Sequence, residues 1–269
     1  MTWRGLNVLR PSDLEVQDAT AISCFPMVPF AGRIDAGRFE FAGRQVVLKT
    51  NLNDPHHAIH GQGWLNPWQV ISKTDHSARL RFDHPSDDWP WPYRAEQGFR
   101  LTADRLVHSL SIANQGLTSM PAGLGLHPYF PRSPDMQLRA KIGSYFPTDV
   151  TLLPLTKCAP PEHLDWSQGR LVTPHIDNPF GGWNGLAEIF WPSRDLGVRM
   201  TTRPKLSNLV VYAPAGQDFV CIEPTSHAIN ALNTSPGGTT GGMKVLAPGA
   251  KLTISVTFDI GNGADKWTD

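Results

Sequence analysis

No stretch of the chain approaches the ~18 consecutive apolar residues of a membrane-spanning helix, and the opening Met1-Thr2-Trp3-Arg4-Gly5-Leu6-Asn7 lacks the apolar run of a secretory leader. A soluble, cytoplasmic protein is expected. Cysteine is scarce: Cys24, Cys158 and Cys221 are odd in number, far apart and without any Cys-x-x-Cys pair. That suggests neither a disulfide framework nor a zinc ribbon, and it suits a reducing compartment. An excess of charge is missing too. The 24 basic residues balance 24 acidic ones and charged residues make up only 18% of the chain. No field is available to gather nucleic acid or an anionic membrane, so the expected partner is a small molecule. Also absent are a Gly-x-Ser-x-Gly nucleophile elbow, a nucleotide fingerprint and any long apolar pattern of helical period.

What the sequence has instead is turns and alternation. Its 24 glycines and 24 prolines in 269 residues exceed the average share of roughly 12%, as many tight turns between short segments would require. Leu252-Thr-Ile-Ser-Val-Thr-Phe-Asp-Ile260 alternates apolar and polar residues strictly, the mark of a strand with one face buried and one wet. Similar alternation runs through 38–41, 78–82 and 106–112, and Thr102-Ala103-Asp104-Arg105 reads as a hairpin turn into the last of these. One domain spanning 1–269 is expected, a large sandwich of two antiparallel sheets with few, short helices.

Four segments hold polar groups of interest. In Asp218-Phe-Val-Cys-Ile-Glu223-Pro224, strand alternation puts Glu223 on the face of Phe219 and Cys221. Apolar neighbours would raise its pKa toward that of a general base, whereas a surface glutamate at a strand end is the plain alternative. Arg33 sits in the apolar, proline-stiffened Cys24–Ile34 segment, so it either pairs with an internal carboxylate or points into a cleft. Asp54-Pro-His56-His57-Ala-Ile-His60-Gly61 offers an i, i+4 histidine pair. The flanking Pro and Gly argue for a loop, where a neutral hydrogen-bonding histidine competes with a metal site. In Gly123-Leu-Gly125-Leu-His127-Pro128, the proline stiffens His127 and the glycines permit close approach of another chain or a ligand. Together these make one acid, one base and two hydrogen-bonding groups.

Phe-Pro-Met-Val-Pro-Phe-Ala-Gly-Arg-Ile (25–34), His-Ala-Ile-His-Gly (57–61), Gly-Leu-Gly-Leu-His-Pro-Tyr-Phe (123–130) and Glu-Pro-Thr-Ser-His-Ala-Ile-Asn-Ala (223–231) resemble, in order and spacing, the aldose 1-epimerase (galactose mutarotase) family. The resemblance extends to Ser86–Tyr93 and Gly181–Gly185 and covers most of the chain. It implies the large, twisted β-sandwich of the galactose mutarotase type, with N-terminal strands shortened relative to the family, and a sugar in a cleft on one sheet. It further implies His127 as general acid, Glu223 as general base, Arg33 and His60 as substrate-holding groups, and no cofactor or metal. The family's substrate-binding aspartate corresponds to Asp177 or to the position of Asn184. A phosphorylated hexose would call for further cations at the cleft, for which Arg94, Arg132 and Lys205 are candidates. Two other readings stand beside the mutarotase: a carbohydrate-binding or sensing protein on the same sandwich, and a metal-dependent hydrolase built on His56, His57 and His60.

Overall fold

The computed structural model describes residues 1–263 except Leu14 and Asn53. Strands that alternate in sequence do so in burial. In Lys251–Gly261, Ile254, Val256, Phe258 and Ile260 are buried while their neighbours are half-buried or exposed. Each such side chain stabilises the fold by about 1.5–3 kcal/mol relative to leaving it in water. The Thr102 N–H donates to the Arg105 carbonyl, closing the hairpin between Tyr93–Leu101 and Arg105–Asn114.

Two antiparallel sheets carry the architecture. The larger has nine strands, with Lys251–Gly261 between Leu196–Arg203 and Arg105–Asn114 at its centre. The smaller has six, in the spatial order Ser144–Tyr145, Ile176–Gly181, Asn208–Ala213, Phe219–Thr225, Gly125–Pro131 and Cys24–Met27. An extensive buried cluster joins them. It draws Leu110, Ile254 and Val256 from the large sheet and Leu126, Phe130, Val211 and Ile222 from the small one. Trp89, Trp91, Trp166, Trp183 and Trp191 are buried in the same cluster, where their bulk fills the interior. The sole α-helix among the described residues is Ala231–Thr234, the other helical pieces being short 3₁₀ turns. This is the all-β sandwich expected from the sequence.

The small sheet's outward face forms the floor of a cleft. Register places Phe25, His127, Glu223, Val210 and Pro179 in one row across five strands. The next row holds Tyr129, Cys221, Tyr212 and Asp177. A second apolar cluster of Phe25, Met27, Trp64, Tyr129 and Cys221 supports this face.

Candidate active site

The two central strands of the small sheet, Gly125–Pro131 and Phe219–Thr225, pair at Gly125↔Thr225 and again from Tyr129↔Cys221 to Pro131↔Phe219. Between those points the ladder is interrupted. Pro128 falls opposite Ile222 and Pro224 opposite Leu126, and neither proline has an N–H to donate. His127 and Glu223 face each other across this opening, each followed directly by one of the two prolines.

Their side chains meet. Nε2 of His127 lies 3.1 Å from Oε1 of Glu223, and both residues are buried. Burial, reinforced by the nearby Asp177 charge and opposed by Arg33, raises the pKa of Glu223 well above the ordinary carboxyl value. Burial lowers that of His127 to about 3, with the Arg10 charge adding to the effect. The Nδ1 of His127 has no hydrogen-bond partner, a further penalty on the doubly protonated ring. The pair therefore rests with one proton between carboxyl and imidazole rather than as an ion pair. His127 is held in plane by stacking, 4.3 Å from the ring of Phe25 and 4.8 Å from that of Tyr129.

His60 approaches from the Ala58–Ile59 strand, its ring edge-on to His127 at 5.5 Å. The Gly32 N–H donates to its Nδ1 at 2.9 Å. Burial, with the Arg33 charge adding to it, holds His60 neutral by lowering its pKa. The remaining proton thus belongs on Nε2, which makes His60 a hydrogen-bond donor on the cleft wall. Arg33 begins a two-residue strand paired with Ala58–Ile59. Its guanidinium stands between two carboxylates, 3.4 Å from Asp177 and 3.6 Å from Asp54. The two sequence alternatives for Arg33, internal pairing and cleft exposure, hold together, since it lines the cleft as well. Asp177 lines it too, and burial, opposed by Arg33, raises its pKa. Asn184 does not take part. Its Oδ1 accepts from the Leu186 N–H within the turn after the Ile176–Gly181 strand.

His127, Glu223, Arg33, His60 and Asp177 thus surround one cleft of about 680 Å³, within the range of small-molecule sites. The histidine cluster at 56–60 does not converge. The Nδ1 of His57 accepts from the Ala36 N–H, and His60 turns to Gly32. Another donor set does converge: ligand atoms of His127, Cys221 and Glu223 lie within 4.8 Å of one another. Burial raises the pKa of the Cys221 thiol, and the Glu223 carboxyl is engaged by His127 at 3.1 Å. Gly123 and Gly125 serve packing rather than a ligand. A Cβ at Gly123 would lie 2.0 Å from the His227 ring, and one at Gly125 would lie 2.6 Å from Met27.

Sequence reasoning missed Asp54, Tyr129, Tyr212 and Arg10 as parts of this site. Arg10 lines the cleft from the N-terminal segment, its guanidinium carbon 3.8 Å above the Tyr129 ring. The three cations named in its place lie elsewhere. Arg94 pairs with Asp83, Arg132 donates to the Pro214 carbonyl, and Lys205 packs at Gly185.

A family model for aldose 1-epimerase matches residues 2–259. The uncharacterized protein YphB of Escherichia coli (strain K12) is 36% identical over 267 residues, 96% of this chain and 90% of its own length. A crystal structure of a candidate aldose 1-epimerase from Escherichia coli K12 superposes with a TM-score of 0.90 at 36% identity, covering 97% of this chain and 91% of the other. A galactose mutarotase-like protein from Clostridium acetobutylicum superposes with a TM-score of 0.85 at 20% identity, over 95% and 86% of the two chains, a likeness of fold.

Proposed function

Because the chain belongs to the aldose 1-epimerase family, we propose that it interconverts the α and β anomers of a free aldose, with Glu223 as general base and His127 as general acid. The observation that carries this reading is the buried 3.1 Å contact between the two side chains on the floor of the cleft. Mutarotation needs one proton removed from the anomeric hydroxyl and one added to the ring oxygen. Both oxygens are bonded to the same carbon, so the two groups that serve them must be neighbours.

The proton balance closes within the pair. A proton hop from the Glu223 carboxyl to His127 yields carboxylate and imidazolium. The carboxylate takes the anomeric proton while the imidazolium protonates the ring oxygen. The bond from C1 to the ring oxygen breaks, and the former anomeric oxygen becomes the aldehyde carbonyl. Rotation about C1–C2 and reclosure on the other face give the second anomer, and the reverse transfers restore the pair. Each positioned transfer contributes roughly 10²–10⁴-fold. Arg33, the Nε2–H of His60 and Asp177 hold the hydroxyls, two donors and one acceptor that fix the ring against the pair.

The reaction as drawn uses no metal, redox group or cofactor. Polarimetry on freshly dissolved α-D-glucose or α-D-galactose tests the proposal. The expected result is equilibration faster than in buffer, proportional to protein concentration and unchanged by prior dialysis against EDTA. Curves that coincide with buffer would instead favour a binding or sensing protein, and activity lost to EDTA and restored by metal would favour a metal enzyme.

A further inference from the structure

We propose that the substrate carries an anionic group on the carbon attached at C5, a carboxylate or a phosphate monoester, and that Arg10 receives it. The inference rests on the anomerase reading above and adds the class of sugar.

The cleft contains two arginines in unlike surroundings. Arg33 stands between Asp54 and Asp177. Arg10 has no carboxylate within ion-pair distance among the described residues; the exposed Asp18 senses its charge but bonds Thr20 instead. The guanidinium of Arg10 is nevertheless fixed. Its Nη2 donates to the carbonyls of Thr20 and Ile22, and its plane sits over the rings of Tyr129 and Phe219, at 3.8 and 4.9 Å from their centroids. The Nη1 bonds none of the described residues. Nη2 is thus tied down and Nε is buried without a partner, so Nη1 is the nitrogen left for a ligand. A pre-set cationic donor with no counter-charge suits an anionic oxygen of a carboxylate or phosphate.

Register says which part of a sugar reaches it. The His127–Glu223 pair fixes the anomeric carbon and the ring oxygen. Tyr129 and Phe219, which carry Arg10, lie along the same two strands, two residues beyond His127 and four before Glu223. Asp177 lies in the opposite lateral direction, two strands past Glu223, with Arg33 beside it. Around the pyranose, the atom after the ring oxygen is C5, and the atoms on the other side of C1 are C2 and C3. With C2 and C3 hydroxyls at Arg33, His60 and Asp177, the C5 substituent extends past His127 to the Tyr129 end. A neutral hydroxymethyl group there would leave the Arg10 charge without a counter-ion, whereas an anion would neutralise it.

The test is α/β exchange measured by NMR saturation transfer on the full-length protein at low ionic strength. The sugars are D-glucose, D-galactose, their 6-phosphates, D-glucuronate and D-galacturonate, each with the parent, Arg10→Met and Arg10→Lys. The expected result is a kcat/KM for one anionic class roughly 10- to 100-fold above that of the neutral sugar of the same stereochemistry. In Arg10→Met that ratio falls at least tenfold, chiefly through KM, and Arg10→Lys keeps part of it. The phosphate and uronate arms tell which anion is taken. Should Arg10→Met fail to fold, the parent's ratio and Arg10→Lys decide. Neutral sugars turned over as well as both anionic kinds, or a ratio unmoved by the Arg10 substitutions, would overturn the inference and leave the anomerase reading intact. No acceleration with any sugar would remove both.

Discussion

The imidazole of His127 and the carboxyl of Glu223, 96 positions apart in sequence, touch at 3.1 Å in a buried opening between two strands. The opening exists because Pro128 and Pro224 each withhold a ladder hydrogen bond beside the residue that precedes them. Two consequences follow for pH. Adding a second proton to the pair means charging a histidine whose pKa burial has lowered to about 3. Removing the shared proton means ionising a glutamate whose pKa burial has raised.

The pH–rate profile should therefore be flat through mild acid and fall on the alkaline side, with both limbs belonging to the pair. Measuring kcat/KM for anomer exchange between pH 4.5 and 9, after subtracting the buffer rate, checks it. A rate that rises through pH 4–5 to a plateau, as for an ordinary exposed carboxylate, would contradict the proton-sharing arrangement.

Arg33 should act on binding more than on the chemical step. Its contacts with Asp54 and Asp177 are loose, and hydrogen bonds made by a charged donor are worth about 1.5–3 kcal/mol. Arg33→Lys is expected to raise KM roughly tenfold or more with a smaller fall in kcat, and Asp177→Asn to act the same way. Steady-state kinetics separates the two quantities. An unchanged KM in both variants would place the sugar elsewhere in the cleft.

Stability should decline in acid earlier than carboxylate protonation alone explains. His108 and His227 are buried neutral, with pKa values lowered by burial from 6.5 to about 3 and about 4. His108 bonds Gln97, and the Nε2 of His227 accepts from the Ala31 N–H. In the unfolded chain both rings take up a proton near pH 6.5, and in the folded protein neither does until far lower. Their contribution is thus complete above pH 6.5 and is lost as pH falls toward 4. The His127–Glu223 pair adds no slope between pH 4.5 and 6.5, because it binds one proton folded and one unfolded. Unfolding free energies from urea titrations at pH 7, 5.5 and 4.5 should fall, by on the order of 1 kcal/mol per pH unit for each proton taken up, and the midpoints with them. Midpoints that hold steady would show that these histidines charge without unfolding.

Much of this site was readable because strand alternation is local. The period at 252–260 gave a buried face, and alternation before Glu223 put it on the side of Phe219 and Cys221, where it lies. The prolines after His127 and Glu223 were visible, but their shared effect was not, since it depends on strands that pair across the fold. Asp54 was read only as a neighbour of histidines, because its partner Arg33 comes from another hairpin. Arg10 sits in Val8-Leu9-Arg10-Pro11, a stretch with no period to announce its direction. Its place is set by Tyr129, which donates nothing in sequence to mark the contact. Gly123 and Gly125 were read as leaving room for another chain or a ligand, and it is other segments of the chain, through His227 and Met27, that fill it.

The central claim is tested most directly by anomer exchange in the parent, Glu223→Gln, His127→Ala and the double variant, measured by NMR on one sugar the parent accepts. Two groups sharing one proton act as a unit, so each single variant should lose roughly 10²–10⁴-fold in kcat and the double variant little beyond the worse single. A Glu223→Gln protein, folded by circular dichroism, that exchanges anomers as fast as the parent would contradict the account.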